Sequence, residues 1–356
     1  MNIFAGYLFV YLTVAVAALW PNCQQSNSLS RAMSPFWIVL LSAFAALRQG
    51  GIDYQGYYNI FEKAPSLRNF FSFEWQGQVH GEVGFIFINS LLGAGGFQLV
   101  LFFICALSLS AVFYGSFKLS PYPALSIFIY LAWYFPSMFS IVRTAAVSAI
   151  FIFLLYSIVY RKYLLSFFVV IFQVSIHKVS FFITAIMPFS GRKNLISISV
   201  FMLFCSFMIY FSMDFEAIFL LTQKFGGSIF DHLYNLYSDP RWSGKSSLFG
   251  FVFFKSIFLV LIYLCIRFFH KNIFNGDLFL FFSVFSLVLL VVLSDFYILS
   301  VRSYELISTV NILLIPVILL HFRSGSRWFL KVSIVIAYFI LFFVKFSAMP
   351  DQALTV

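Results

Sequence analysis

Charged side chains are scarce in this chain of 356 residues. Asp, Glu, Lys and Arg make up 10% of it and hydrophobic residues 62%, whereas a soluble domain carries about 25% charged residues. A soluble fold could not bury this much apolar surface. The sequence therefore predicts an all-α polytopic membrane protein with about 12 transmembrane helices and a range of roughly 10–13.

Motifs for nucleotide, zinc or disulfide chemistry are missing as well. The chain has no G-x-x-x-x-G-K-[ST] loop, no H-E-x-x-H helix, no Cys/His set with zinc spacing and no Asp-x-Asp pair. Its four cysteines lie far apart, without a C-x-x-C pair. Asp214-Phe-Glu216 is the nearest approach to a metal-binding pair, and a single pair is weak evidence. We expect neither a metal nor another cofactor.

Twelve apolar runs are long enough, or nearly long enough, to cross a bilayer as helices of about 20 residues. They lie near 2–20, 34–47, 97–117, 122–138, 141–160, 163–176, 179–190, 195–213, 249–267, 278–299, 306–322 and 328–346. The first run lacks a basic N-terminal region, and Trp20-Pro21 does not resemble a cleavage site. We therefore expect a retained first helix and not a signal peptide.

Basic residues divide the connections between these runs into two sets. The positive-inside rule assigns one set, with eleven Lys and Arg and one acid (Asp277), to the cytoplasm: Arg31, Lys118, Arg161, Lys162, Arg192, Lys193, Arg267, Lys271, Arg323, Arg327 and Lys331. The other side then holds eleven basic and eleven acidic residues. The formal net charge of +10 is therefore a topology signal, and no nucleic-acid partner is expected.

This topology places both termini and two large loops, 48–82 and 214–248, outside the cytoplasm. Residues 83–93 are too short to span, so we expect an interfacial or re-entrant helix there, followed by the true span after Gly95-Gly96. No internal repeat or separate soluble domain is visible, so residues 1–356 are interpreted as one membrane domain. Function is expected to face outward.

Cations gather at the outer ends of the expected spans. Arg48, Arg143 and Arg302 each sit at such an end, His177 and Lys178 occupy the tip of a short hairpin, and Lys255 lies inside the ninth span. A cation at membrane depth costs about 2.5–3.5 kcal/mol. Each could be a snorkelling anchor. Together they suggest an anion clamp, because guanidinium groups pair bidentately with phosphate oxygens.

Three acids stand near these cations. Asp53 follows Arg48 by five residues, Glu82 closes the first loop two residues after His80, and Glu305 follows Arg302 by three. On a helix, a spacing of three places two side chains on one face. Each acid could be a salt-bridge partner or a general base for a sugar hydroxyl.

Tyrosines follow at helical spacing. Tyr54, Tyr57 and Tyr58 are followed by Phe61, which would give one aromatic face if 53–62 is helical. Such a face could lie in the membrane interface or form a platform for sugar rings. Glu74, Trp75 and Trp242 leave the same two interpretations open.

Several of these segments, in this order, resemble the EpsG-like and Wzy-type polysaccharide polymerases. Arg48-Gln-Gly-Gly-Ile-Asp53-Tyr54 with Tyr57-Tyr58 resembles the opening signature of that family, and Glu82-Val-Gly-Phe resembles its acid before the next apolar run. The later matches are Phe139-Ser-Ile-Val-Arg143-Thr-Ala-Ala, Ser175-Ile-His177-Lys-Val-Ser and Arg302-Ser-Tyr304. Thr144 stands where the family commonly has Gln, and the last segment has altered spacing.

The resemblance implies a multi-helix, GT-C-like, metal-independent glycosyltransferase of the bacterial inner membrane. Such an enzyme polymerises O-antigen or exopolysaccharide units on undecaprenyl diphosphate, the carrier of both donor and acceptor glycan, in lipopolysaccharide or other polysaccharide biosynthesis. A chain-length regulator would be a possible protein partner, and membrane lipid surrounds the enzyme. Arg143 and Arg302, with Arg48, would stabilise the leaving group, and Asp53, Glu82 or His177 would be the base.

The remaining site candidates are assigned to substrate binding: Tyr54, Tyr57, Tyr58, Lys178, Lys255 and Glu305. Two rival functions remain open. An O-antigen ligase needs the same clamp and the same outward face. A flippase or transporter of the lipid-linked unit is less favoured, because transporters tend to place charges at the midplane and to use repeats.

Overall fold

The computed structural model describes residues 3–19, 23–51, 53–75, 79, 81–191, 194–212, 250–270, 273, 275–294 and 296–347. Every regular element in these ranges is helical, which confirms the predicted all-α class. Several positions named above lie outside the described residues: His80, Arg192, Lys193, Lys271 and loop 214–248 with Asp214, Glu216 and Trp242.

The described ranges contain sixteen α-helices and four 3₁₀ turns. The helices are α1 Ile3–Leu19, α2 Cys23–Ala46, α3 Tyr54–Lys63, α4 Leu67–Phe70, α5 Val83–Leu92, α6 Phe97–Leu119, α7 Pro123–Trp133, α8 Val142–Val159, α9 Tyr163–Ile176, α10 Phe181–Ile186, α11 Leu195–Ser212, α12 Phe251–Phe269, α13 Gly276–Val292, α14 Tyr297–Ser308, α15 Asn311–Leu320 and α16 Ser324–Ser347. The 3₁₀ turns are Gly93–Gly95, Phe135–Phe139, Lys178–Ser180 and Met187–Phe189.

Four described helices are long and apolar enough to cross a membrane: α6, α8, α12 and α16. The bent pair α14 and α15, at 45° to each other, adds a fifth if it counts as one broken span. The other apolar helical segments have 10–17 residues, shorter than the usual span of about 20. In α2 and α11, these segments are Arg31–Ala46 and Leu195–Tyr210. The described helices thus support a membrane protein but do not show the expected twelve spans.

The chain forms two compact units, one made of Met1–Ser180 with Ile315–Val356 and the other of Phe181–Leu314. In the first unit, α7 is buried along its whole length, and α8 is mostly buried between α6 and α9. Helix α1 packs on α7 and α16. In the second unit, α13 packs against α11 and α14.

Large apolar side chains point outward from the packed helices. Phe167 and Phe168 on α9, and Phe254 and Phe258 on α12, are each more than half exposed. Soluble proteins rarely leave such surface open to water, so these faces are suited to lipid. They therefore support the coarse conclusion from composition that the chain is a membrane protein.

A tight hairpin joins α8 to α9 and aligns the two helices. Helix α8 ends where Arg161 adopts a left-handed conformation (φ 54°) and the Lys162 amide donates to the Ser157 carbonyl at 2.8 Å. The Gln173 side-chain amide donates to the Val147 carbonyl at 2.8 Å. The C-terminal end of α9 is therefore held beside the N-terminal end of α8.

A second constraint joins residues 48–51 to the 3₁₀ turn before α8. The Arg48 guanidinium donates through Nη1 to the Met138 carbonyl. Gly51 has a φ of 136°, and a Cβ there would collide with the Phe139 carbonyl oxygen. Only glycine suits that backbone and that contact, which gives Gly51 a role in turning the chain.

The break expected after residues 83–93 is confirmed, because α5 and its 3₁₀ turn end before α6 begins at Phe97. The expected span 278–299 is wrong in its second half. Helix α13 ends at Val292, and α14 begins at Tyr297. Arg302 and Glu305 consequently lie within helix α14. Their charge interrupted the apolar run in the sequence without interrupting the helix.

Candidate functional site

Three charged or titratable side chains meet in the first unit. The Glu82 carboxylate pairs through Oε2 with Arg143 Nη1, and its Oε1 lies 3.1 Å from His177 Nδ1. The side chains of Arg143, Glu82 and His177 are 20%, 11% and 7% exposed. We call this group the Glu82 cluster. It lies almost completely inside the protein while keeping a small opening at Arg143.

Each member of the Glu82 cluster stands at the end of a helix. Glu82 immediately precedes α5, Arg143 is in the first turn of α8, and His177 follows the last residue of α9. The α8–α9 hairpin brings Arg143 and His177 to the same level. Helix α5 then adds Glu82 by packing against α9.

Gly84 allows the close approach between α5 and α9. A Cβ at this position would collide with the Ser175 side chain and backbone. Ser175 is two residues before His177. The absence of a side chain at Gly84 is therefore what lets Glu82 reach the imidazole ring.

Aromatic rings form a wall beside the cluster. The Arg143 guanidinium carbon lies 5.3 Å from the Tyr57 ring centre and 5.6 Å from that of Phe85. The two rings are 5.5 Å apart, and both residues are buried. Cation–π contacts of this kind add attraction for the guanidinium and hold its plane in place.

The predicted aromatic face on 53–62 is helical, and its rings are divided between two surfaces. Tyr57 faces Arg143, as described above. Tyr54, Tyr58 and Phe61 have ring centres 5.4–5.5 Å from that of Phe97, the first residue of α6. Packing of α3 onto α6 therefore accounts for three of these four rings.

Arg48 is fully buried, unlike a residue that contacts a ligand at the surface. Besides its bond to the Met138 carbonyl, its guanidinium carbon lies 5.9 Å from the Tyr54 ring centre. Its Nε and Nη2 atoms make no hydrogen bond with the described residues. In this arrangement Arg48 holds the 3₁₀ turn that leads into α8 and Arg143.

Asp53 and Lys178 stand close to these elements. Asp53 is half-buried directly before α3. Lys178 is exposed, and its backbone amide, not its ammonium group, approaches Glu82 Oε1 at 3.5 Å. Among the described residues no group of three His, Cys, Asp or Glu side chains could hold a metal ion.

Lys255, Arg302 and Glu305 belong to the second unit, so their convergence with the Glu82 cluster stays a prediction. All three are half-buried. Within that unit, the hydroxyl groups of Ser256 and Tyr304 are 2.6 Å apart, which joins α12 to α14 beside Lys255 and Arg302.

The electrostatics of Glu82 reflect two opposing effects. Burial raises the pKa of the carboxyl group, but the hydrogen bond with His177 and the charge of Arg143 outweigh it and lower the pKa from 4.5 to about 2. Glu82 is therefore ionised near neutral pH. A lowered pKa disfavours proton uptake by Glu82 and suits the role of orienting its two neighbours.

Sequence reasoning identified all three members of the cluster but did not pair them. It also missed the contributions of Gly84 and Phe85. Their signal was present in the segment Glu82-Val-Gly84-Phe85, where a glycine in the first turn of an apolar helix indicates a close approach of another element.

Gly84→Ala should loosen the cluster. The added methyl group must push α5 away from α9, and overpacking of this kind typically costs about 1–3 kcal/mol. We expect a lower thermal midpoint for the purified protein in detergent. Gly56→Ala is the matched control, because a Cβ on that glycine of α3 meets nothing within 4 Å. Equal midpoints for the two variants would refute the tight α5–α9 contact.

The depressed pKa of Glu82 predicts a pH-dependent stability. Ionised Glu82 contributes fully above pH 4.5 and loses its contribution as the pH falls toward 2. Glu82→Gln cannot be titrated at this position. The free energy of unfolding of the two proteins should be measured from neutral pH down to about pH 2. The difference between the wild type and Glu82→Gln should become smaller as the pH falls. The exposed Glu62→Gln variant is the matched control for the loss of a carboxylate. A constant advantage of the wild type over Glu82→Gln would refute the assignment.

Comparison with known proteins places the chain in a family. The EpsG family model matches residues 31–355, which include every member of the Glu82 cluster. Neither the comparison with curated proteins nor that with solved structures gave a match. The match covers nearly the whole chain, so the chain belongs to the EpsG family of exopolysaccharide and O-antigen polymerase-like proteins.

Proposed function

We propose that the protein is a membrane glycosyltransferase that polymerises oligosaccharide units carried on undecaprenyl diphosphate. The growing chain on its carrier would be the donor, and a sugar hydroxyl of a new carrier-linked unit would be the acceptor. Family membership supports a polysaccharide polymerase-like role. The observation that carries the finer proposal is the Glu82 cluster, in which an ionised carboxylate bridges a guanidinium and an imidazole.

His177 is our candidate for the base. If Nδ1–H donates to Glu82, the neutral ring presents Nε2 as its proton acceptor. The acceptor hydroxyl would lose its proton to Nε2 as its oxygen bonds to the anomeric carbon of the donor. Glu82 would stabilise the resulting imidazolium. Asp53 remains the alternative base.

Arg143 is our candidate for stabilising the leaving group. As the bond between the anomeric carbon and the diphosphate breaks, the electron pair stays on the diphosphate oxygen and negative charge grows there. A guanidinium has five N–H donors, so Arg143 can face Glu82 and still donate to a phosphate oxygen. Arg302, with Glu305 on the same helix α14 and Lys255 on α12, is proposed to complete this clamp, with no metal required.

Arg48 is proposed to act through Arg143. Its buried guanidinium bonds the 3₁₀ turn that precedes α8, so it is a positioning residue for the cluster. Tyr57 is proposed to hold the Arg143 plane, whereas Tyr54 and Tyr58 fix α3 against α6. Lys178 is exposed beside the cluster and is proposed to attract the anionic substrate.

The membrane arrangement of the proposal follows the charge distribution. We infer a GT-C-like protein of the bacterial inner membrane, with about twelve passes once the shorter helices are counted. The excess of basic residues in one set of connections supports a cytoplasmic location for that set. The Glu82 cluster and both termini would then face the extracytoplasmic side.

Arg143→Ala tests this function through the surface-glycan ladder of the producing cell. Loss of a charge-stabilising donor lowers rates by about 10²–10³-fold, so we expect single repeat units where the wild type makes long chains. Arg68→Ala, a change at an exposed arginine of α4, should leave the ladder intact. Long chains from Arg143→Ala at normal membrane levels would refute the proposed role.

The same ladder separates the rival activities. A polymerase defect leaves the core plus one unit, and a ligase defect leaves bare core with polymer still on its carrier. A flippase defect leaves units stranded on the cytoplasmic leaflet. Either of the last two patterns for Arg143→Ala would contradict polymerisation as the function of this site.

A further inference from the structure

The first outward loop contains a cleft that the Glu82 cluster does not use. It has a volume of about 420 Å³ and is open on one side. It is lined by Lys63, Pro65, Asn69, Ser72, Glu74, Trp75 and Val79. We call it the loop cleft. Its volume lies within the roughly 300–1,000 Å³ typical of small-molecule sites.

The base of the loop cleft is a small hydrophobic core. Phe70, Trp75 and Val79 pack with Ile86 of α5, and the Trp75 indole stacks on the Phe70 ring with centroids 5.3 Å apart. The indole N–H donates to the Phe70 carbonyl at 2.8 Å. These contacts fix the Trp75 side chain in the wall of the cleft.

The rim is polar and locally ordered. Ser66 caps α4 by accepting from the Asn69 amide at 3.4 Å, and the Ser72 hydroxyl donates to the Asn69 carbonyl at 2.8 Å. The side chains of Asn69, Ser72 and Glu74 are exposed around the opening. An amide, a hydroxyl and a carboxylate offer both donors and acceptors in a small space.

The chemistry of this lining selects one class of ligand. One ammonium and one carboxylate leave it without net charge, so it lacks the cations that a phosphate needs and the set of carboxylates that a divalent cation needs. Its polar rim does not suit a lipid chain. Mixed donors and acceptors beside an aromatic and a proline wall suit a hydroxyl-rich ring with apolar C–H faces, which is a sugar.

The base of the loop cleft packs against the helix that Glu82 precedes. Val79, which lines the cleft, packs on Ile86, and the Ile86 amide donates to the Glu82 carbonyl at 3.0 Å. Both features belong to the first unit. The loop cleft and the Glu82 cluster are therefore linked through α5.

From these observations we propose that the loop cleft is a glycan subsite that binds the oligosaccharide portion of a carrier-linked unit. The inference rests on the proposed function and adds the place where the sugar is held. Asn69, Ser72 and Glu74 would bond its hydroxyl groups, and the Trp75 and Pro65 surfaces would contact its ring faces. These residues bind and do not take part in the chemical step.

The test uses the full chain, purified in detergent, and the free repeat-unit oligosaccharide released from the carrier. Saturation-transfer NMR should detect binding to the wild type. Asn69→Ala/Glu74→Gln should weaken it by about tenfold or more, because each lost hydrogen bond removes a several-fold factor in affinity. Glu62→Gln/Arg68→Ala changes two exposed side chains outside the cleft and should bind like the wild type.

Arg143→Ala separates this inference from the proposed function. It should bind the free oligosaccharide normally, since the cleft is intact, while failing to polymerise. Unchanged affinity in Asn69→Ala/Glu74→Gln would overturn the subsite and leave the reaction centre untouched. A weakened Asn69→Ala/Glu74→Gln variant alongside an active Arg143→Ala would support the subsite and overturn the role of Arg143.

Discussion

The candidate site depends on one ionised carboxylate in a mostly buried position. Glu82 is 11% exposed, and it is stabilised there by Arg143 on one oxygen and His177 on the other. Removing one partner of a buried pair costs about 3–5 kcal/mol. The three helix ends that supply these side chains are therefore energetically coupled. Three further features hold these ends in position: the α8–α9 hairpin, the α5–α9 contact at Gly84 and the bond from Arg48 to the turn before α8.

The charged and aromatic segment at residues 48–58 has a mainly structural role. Arg48 and Gly51 fix a backbone turn, Tyr57 faces Arg143, and Tyr54 and Tyr58 pack on α6. Arg48, Gly51 and Tyr57 thus contact Arg143 itself or the turn that precedes its helix. Arg48, at the end of an apolar run, is therefore a buried structural residue whose guanidinium bonds the Met138 carbonyl.

The sequence allowed the helical class and the members of the cluster to be predicted, because composition, periodicity and charge are local properties. It could not show that Glu82 stands between Arg143 and His177, which are 61 and 95 residues away along the chain. Nor could it show that Arg48 is buried, since that depends on the turn at Phe135–Phe139. Span boundaries failed where Arg302 and Glu305 interrupt an apolar run without ending its helix.

The central claim is that the Glu82 cluster orients His177 as the base of a glycosyl transfer. Its most direct test is reconstitution of the purified chain in liposomes, with a carrier-linked repeat unit as the sole substrate, and measurement of both polymer and released lipid diphosphate. The wild type and His270→Gln, which changes an exposed histidine, should produce both. His177→Gln should produce neither. Polymer and lipid diphosphate from His177→Gln at the wild-type rate would contradict the account.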